Sequence, residues 1–508
     1  MGACEEYLYL LMEGIDKTRF EVTFVCPEDT VLDSLVKSDG WIAIKIFLTV
    51  FLISSLFFKP NPTLSLVRFE FLTKALTHYG TTWIDKVKQE SGIQCIDSMT
   101  LNGHVYIETT PGLSFIGLVS YLPYSAFLQS KLIRFFSLDP TIEFKISQFV
   151  IALSTVILFT ALLITVFFLS LRRIGCSQKK AIIFSFLLYF GTPVIFYSLD
   201  ATNGQNILEA SILFIAFFIM GISNMKNIGL IFLSGLLCGL AVFVNVALFF
   251  LPLFLSIILL SRRWQNFLIW TIGTILGSMP ILIYNQISFG NLLRFSYNAK
   301  YGNFISLRLG GYLGGYFDIA RIFLISPMVG LLFFFPFVIM LILMFKRLWT
   351  DLMNKLILFS ALLYIGGLCI VSRPLLELSR LGNTWYLNQG GGGPRYLLPI
   401  IPFLLYVIAS VKFDLNWKKI LASVLIFISV TINAPGLFRS GGQPVFFNNL
   451  LLFCKNGFHS YMIDLIRDVL VKGGFNTNGL SIFPLLAILG IFLWWIWVGD
   501  RWVKSWLQ

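Results

Sequence analysis

The chain has 508 residues, of which 57% are hydrophobic and only 12% charged, with 52 phenylalanines. That balance excludes a soluble globular domain, in which about a quarter of the residues are charged. It predicts an all-α polytopic membrane protein, because only helices satisfy their own backbone while crossing lipid, closed barrels aside.

The formal charge of +13 does not point to nucleic acid. The cations sit between apolar runs, as Arg172/Arg173 with Lys179/Lys180, Arg262/Arg263, Lys346/Arg347, Lys418/Lys419, and Arg501 with Lys504. This is the positive-inside pattern, which places them in the cytoplasm beside anionic headgroups. Seven cysteines show no CxxC spacing, and Cys238 and Cys369 fall inside apolar runs. Neither a disulfide framework nor a zinc site is expected.

In chain order, residues 1–40 are acidic and polar, unlike a cleavable signal peptide. Trp41–Phe58 leads outward, and a long external segment, 59–143, follows. Ile146–Leu171, Ala181–Leu199, Ile207–Ile222, Ile228–Val244, Val246–Leu260 and Phe267–Tyr284 come next. Ile322–Met344, Leu356–Val371, Tyr396–Val411, Ile420–Ile432 and Leu480–Val498 complete a bundle of about 12 spans. A cytoplasmic tail, 499–508, ends the chain. The protein is expected in the cell's inner membrane as a multi-pass protein with both termini cytoplasmic. Pro111–Phe136 is also apolar, but counting it as a span would put Arg172/Arg173 outside. It reads as a helix at the outer interface.

The external segment predicts one further helix. In "LVRFEFLTKALTHYG", Leu66, Phe69, Leu72, Leu76 and Tyr79 recur at helical spacing opposite Arg68, Glu70, Lys74 and His78, and Gly80 ends the pattern. An amphipathic helix lying on the membrane is expected.

Chemistry is sought among the external ionisable groups. Glu70, Asp97 and Glu108 are carboxylates able to take a proton from a hydroxyl where partial burial raises their pKa. Asp85 reads as a solvated loop charge. His104, one of three histidines, can donate to a phosphate or pack on Tyr106. Arg395 follows Gly390–Gly393 and Pro394, where close backbone approach and a guanidinium suit an anionic headgroup. That glycine run lacks the preceding strand and the GK[ST] of a nucleotide loop. Glu209 lies inside an apolar run and must face the bundle interior or a cavity.

The segments "VRFEFLTKALTHYGTTWID", "LNGHVYIETTPGLSFIGLVSYLPY", "YFGTPVIFY", "LIYNQISFGNLLRFSY", "FLISPMVGLLFFFP" and "GPRYLLPIIPFLL" occur in the order seen in bacterial GT-C-fold membrane glycosyltransferases. The chain from Trp41 to about Val411 resembles the branch related to protein mannosyltransferases and lipid A aminoarabinose transferases. The resemblance implies a GT-C-like membrane domain, 41–498, with catalysis in the external loop 59–143. It implies a polyprenyl-phosphate sugar as donor, an extracytoplasmic glycan, lipid or protein as acceptor, and no cofactor. Where the family commonly carries an Asp-Lys pair before Ala-Pro-Gly, this chain has Glu108 and Thr109 before Thr110, Pro111 and Gly112. Glu70 matches the acid after the family's Arg-Phe. With that lysine gone, the phosphate charge falls to Arg395, Arg68 or Arg294, with His104 assisting. Glu70, on a helix, is the favoured base. Residues 1–40 resemble the start of a GT-B glycosyltransferase, a short cytoplasmic α/β fragment. A lipid-linked glycan flippase and an inactive scaffold are the alternative readings.

Overall fold

The computed structural model describes residues 30–60, 67–199, 204–245, 256, 259–260, 263–295, 320–325, 330–380, 395–438 and 460–506, apart from 94, 96, 224, 225, 322, 412, 414 and 478. The expected fragment at residues 1–29, most of Val246–Leu260 and the glycine run before Arg395 lie outside these residues. The chain separates into two units, Met1–Ile42 and Ala43–Gln508. Of the first, only residues 30–42 are described, as the start of helix α1 (Thr30–Leu56).

The second unit is built mostly of helices. The early elements are α2 (Arg68–Tyr79), α3 (Asp85–Ser91), strands β1 (Ser98–Leu101) and β2 (His104–Ile107), α4 (Gly112–Pro123), α5 (Gln129–Phe136), α6 (Pro140–Ala152), α7 (Leu158–Arg173) and α8 (Gln178–Phe190). They continue as α9 (Val194–Ser198), α10 (Gly204–Ile222), α11 (Ile228–Val244) and α12 (Trp264–Phe289). Three short pieces follow, α13 (Leu331–Phe334), α14 (Ile339–Leu343) and α15 (Phe345–Leu348). The last are α16 (Leu352–Arg380), α17 (Ile401–Ser410), α18 (Asn416–Asn433), α19 (Tyr461–Lys472) and α20 (Phe483–Trp506).

Among the described residues six helices are long and apolar enough to cross a membrane: Asp39–Leu56, Pro140–Arg173, Gly204–Ile222, Trp264–Phe289, Leu352–Cys369 and Asn416–Leu437. Ile228–Val244, Arg395–Ser410 and Leu480–Trp495 are shorter apolar helices. Two stretches read as continuous spans in the sequence are broken in the structure. Ala181–Leu199 divides at Gly191–Pro193 into α8 and α9, and Ile322–Met344 is interrupted before Pro336, whose ring and missing N–H stop α13. Hydropathy alone does not register such breaks. The amphipathic α19 is an element that the sequence reading omits.

Segment 59–143 is not wholly helical. Asn102 and Gly103 both take positive φ, 51° and 83°, forming the two-residue turn of an antiparallel hairpin in which Ser98 pairs with Ile107 and Leu101 with His104. The hairpin packs with α2 and α3 in a core of Val67, Phe71, Leu72, Ile84, Met99 and Ile107 that extends onto Phe144, Tyr284 and Phe289. The layer is thereby seated on the ends of α6 and α12. Pro111–Phe136 is helical from Gly112, with a π-helical segment at Tyr124–Leu128. Its Val119, Phe127 and Phe135 are exposed, while Ser120 bonds Ser154 at 2.8 Å and Val150 O at 2.6 Å.

Pro140–Arg173 is a single 34-residue helical run with a π segment at Leu153–Ile157, about 51 Å long at a 1.5 Å rise per residue. Asp139 caps it, accepting from the amides of Thr141 and Ile142 at 2.9 Å each, and Pro140 occupies its first turn. The run places Glu143 at one end and Arg172/Arg173 at the other. Lys180 and Lys418 lie toward the end marked by Arg173: the Arg173 guanidinium bonds Gly221 O at 2.9 Å, Lys180 bonds Val411 O at 2.9 Å, and Lys418 bonds Leu343 O at 3.4 Å. Arg395 lies at the opposite end of the Arg395–Ser410 helical segment from Val411.

Helices α11 and α12 pack backbone to backbone. A Cβ on Gly235, Gly239 or Gly277 would fall on the backbone carbonyl of Trp270, Thr274 or Leu236, and one on Gly273 would lie 2.5 Å from Phe232 O. "GLLCG" and "GTILG" are thus facing GxxxG motifs, small residues that let two backbones approach in lipid. Gly239→Ile is expected to lower thermal stability in detergent by about 1–3 kcal/mol or more through overpacking. Gly221→Ala, where a Cβ meets nothing within 4 Å, should leave it unchanged. Equal melting of both variants would show that α11 and α12 do not pack this way.

Candidate functional site

The hairpin ladder continues one step beyond the strands. The Glu108 amide donates to Asp97 O at 3.0 Å, so Asp97 and Glu108 stand opposite each other where the strands open. Like charges directly opposite across a ladder destabilise it, and a cation stands nearby. Arg68, on the first residue of α2, forms an ion pair with Asp97 and lies over the Phe69 ring. The Arg68 and Asp97 side chains are 13% and 31% exposed, and Glu108 is buried. Cys95, buried beside this group, senses all three. Burial pushes its thiol up to about 12, Arg68 and Lys88 pull against the shift, and Asp97 and Glu108 add to it.

A second arginine completes the group. Arg395 opens a 3-10 turn, Arg395–Ile400, that leads into α17. Its guanidinium donates to Tyr396 Oη at 2.7 Å and lies 4.6 Å from that ring's centroid. It is within electrostatic reach of Asp97 and Tyr197. Asp97 thus stands with Arg68 and Glu108, and Arg395 is within electrostatic reach of it. Thr109 Oγ1, beside Glu108, is buried without a hydrogen-bond partner.

The other sequence candidates lie elsewhere. His104 stacks on Trp83, 4.5 Å between centroids and 23° between planes, and pairs with Asp85 at 3.3 Å. Asp85 is no solvated loop charge, since it also accepts from the Val105 amide at 3.1 Å. Arg294 is exposed, and among the described residues nothing joins its side chain to the Arg68–Asp97 group.

Glu70 departs most from expectation. The sequence predicts a polar face of α2 open at the membrane surface, but Phe69 through Ala75 are all buried. Glu70 is only 2% exposed. Lys74 lies between two acids, 3.0 Å from Glu70 Oε1 and 3.1 Å from Glu143 Oε2. Glu143 also accepts from Gln129 at 2.9 Å and Ser147 at 2.7 Å. Glu70 Oε2 has no hydrogen-bond partner, and His78, one turn beyond Lys74, meets Tyr121 Oη at 3.1 Å. Arg68 and Glu70, two positions apart on one helix, point to opposite sides and belong to different clusters.

A third polar group lies deeper, on α10. Glu209, 1% exposed, accepts from Asn245 at 3.2 Å, and Asn245 also faces Asn206 at 3.5 Å. One turn above Glu209, Gln205 donates to Thr110 Oγ1 at 2.9 Å and Val244 O at 2.7 Å. Gly112 makes this approach feasible, since a Cβ there would lie 2.6 Å from Phe243 O and Val244 Cα. The sequence reading includes Glu209 but neither its amide neighbours nor the pairing of Lys74 with Glu143. Asn102–Gly103 was the signal available for the hairpin that pairs Asp97 with Glu108.

Burial pushes the Glu70 carboxyl from 4.5 up to about 8, with Lys74 pulling it down and Glu143 pushing it further up. Between those values the folded protein holds a proton that the unfolded chain has released, so this group's contribution to stability falls as pH rises. His78, whose pKa burial lowers, opposes this in the lower part of the window. Thermal unfolding of wild type and Glu70→Gln isolates the glutamate. The variant should gain stability relative to wild type from pH 5 to pH 8, and a constant difference would place an ionised Glu70 in the fold.

Comparison with known proteins returns no relative for this arrangement: no protein family, no curated protein and no solved structure matches the chain.

Proposed function

We propose that this is a multi-pass inner-membrane glycosyltransferase that moves a sugar from a polyprenyl-phosphate carrier to an extracytoplasmic acceptor. The observation that carries the reading is the meeting of Arg68 and Arg395 with Asp97 and Glu108. Two guanidiniums suit a phosphate that gains negative charge as the glycosidic bond breaks. A carboxylate beside them suits the acceptor hydroxyl, which must lose its proton as it attacks the anomeric carbon. Single in-line displacement inverts the configuration at that carbon.

Glu108 is the base in this scheme. It is buried where the strands open beside the Arg68–Asp97 pair, whereas Glu70 lies with Lys74 in the other cluster. The activated bond arrives with the donor, so no nucleotide or other cofactor is required. The GT-C resemblance of the six ordered segments supports the same assignment.

The separation of charge along the bundle supports an outward-facing site. Basic clusters collect with Arg173, Lys180 and Lys418 at one end, and the hairpin layer is tied to Glu143 at the other end of the same long helical run. Cytoplasmic basic ends place both termini inside. In a variant of Asp97→Cys with the native cysteines replaced, a membrane-impermeant maleimide should label the site from outside the cell only. Labelling from inverted vesicles alone would reverse the topology.

Glu108→Gln is expected to lower in-vitro transfer by about a hundredfold or more, the usual cost of losing a general base. Arg395→Lys keeps the charge but loses the fork, and should weaken donor use with folding intact by detergent extraction. Near-wild-type transfer by Glu108→Gln would remove it as base. A flippase would instead leave every sugar linkage chemically unchanged and trap lipid-linked glycan on the inner leaflet of the deletion strain.

A further inference from the structure

The proposed centre contains groups for a phosphate and for a proton but none committed to the sugar. The α10 cluster supplies what is missing. Glu209 lies within one of the six long apolar helices, where a carboxylate is costly unless something binds it. Its Oε2 accepts from Asn245 at 3.2 Å, yet its buried Oε1 has no hydrogen-bond partner. A buried acceptor left open in this way costs the desolvation of that oxygen. Around it stand side-chain amides, Asn206 and Asn245, with Gln205 one turn away.

Two connections join this cluster to the proposed centre. Thr110, bonded by Gln205, is two residues from Glu108. Tyr364, within electrostatic reach of Glu209, donates its hydroxyl to Tyr396 O, the residue after Arg395. The aromatic pair Phe115 and Phe243, 5.5 Å apart, flanks the same junction of α4 with α11. A carboxylate with one open oxygen, beside amides that both donate and accept, matches the alternating donors and acceptors of vicinal ring hydroxyls. The cluster offers a phosphate no cation, which leaves that group to the arginines.

We infer that Glu209, with Asn206 and Asn245, binds the sugar of the lipid-linked donor through its ring hydroxyls. The inference rests on the proposed transferase reading and assigns its donor-sugar subsite. Glu209 is a binding residue in this account and moves no proton in the transfer step.

The test uses the full-length protein purified in detergent, with undecaprenyl phosphate and its glucosyl, galactosyl and mannosyl forms as probes. Wild type should bind at least one sugar-bearing form more tightly than undecaprenyl phosphate. Glu209→Gln should reduce that margin about tenfold, the worth of one hydrogen bond, with affinity for undecaprenyl phosphate within about twofold of wild type. Asn206→Ala should narrow the same margin, and it carries the test if Glu209→Gln does not extract as a folded protein. If both variants keep the wild-type margin, the subsite assignment is wrong and the transferase reading stands. A wild type that binds undecaprenyl phosphate without preferring any sugar form also overturns the assignment. If wild type binds none of the four lipids, the transferase reading fails and the subsite with it.

Discussion

Asp97 and Glu108 stand opposite each other at the open end of a two-stranded ladder, and the hairpin layer depends on the ion pair that ties Asp97 to Arg68 on the packed helix. Like charges opposite each other across a ladder are unfavourable, and a cation beside them offsets this. Arg68 meets the need only because α2 begins at that residue, which aims its guanidinium at Asp97 while the next turn enters the core. The core of Val67, Phe71, Ile84, Met99 and Ile107 keeps helix and hairpin in this relation. The charge group is therefore a product of packing, and its exposure falls from Asp97, about a third open, to the buried Glu108.

The opposite face of α2 is tied down by a different electrostatic device. Lys74 sits between Glu70 and Glu143, and Glu143 belongs to the first turn of the 34-residue Pro140–Arg173 run. The Lys74–Glu143 pair, largely buried, contributes less to net stability than its Coulomb attraction implies, because each charge was removed from water. Their consequence is register: with Lys74 and Glu143 paired, α2 cannot slide along α6 without leaving a charge unpartnered. The hairpin and its two acids keep a defined height relative to the membrane helices.

Below that layer the polar interactions become sparse and backbone proximity takes over. The facing glycines of α11 and α12 let the two main chains touch directly, which brings Val244 and Asn245 beneath Thr110 and Gly112. The Glu209 cluster is assembled at this junction from three elements, α4's leading loop, α10 and the end of α11. In an apolar surrounding, each amide in the group counts for more than it would in water, since no solvent is present to replace it.

The sequence by itself determined the membrane-helical character of the chain, through long apolar runs separated by basic clusters. It determined the end of α2 at Gly80, whose φ of 63° favours a residue without a side chain. It also carried the Asn102–Gly103 turn and the two GxxxG motifs, local signals whose meaning depends on only a few adjacent positions. The breaks at Gly191–Pro193 and before Pro336 were written there too, but hydropathy averages over them. Only the tertiary structure decided which acid stands with which cation. Asp97 and Glu108 are joined by strand register, Arg68 and Glu70 are parted by the helical turn between them, and Arg395 arrives from the far side of the chain. Packing decided the surroundings of Glu70 and Asp85 too: one reads as an open surface acid and is enclosed, the other, a third exposed, opens a helix and holds a backbone amide and a histidine. Charge in a sequence is a property of one residue, whereas its solvation and its partner are set by every element that packs around it.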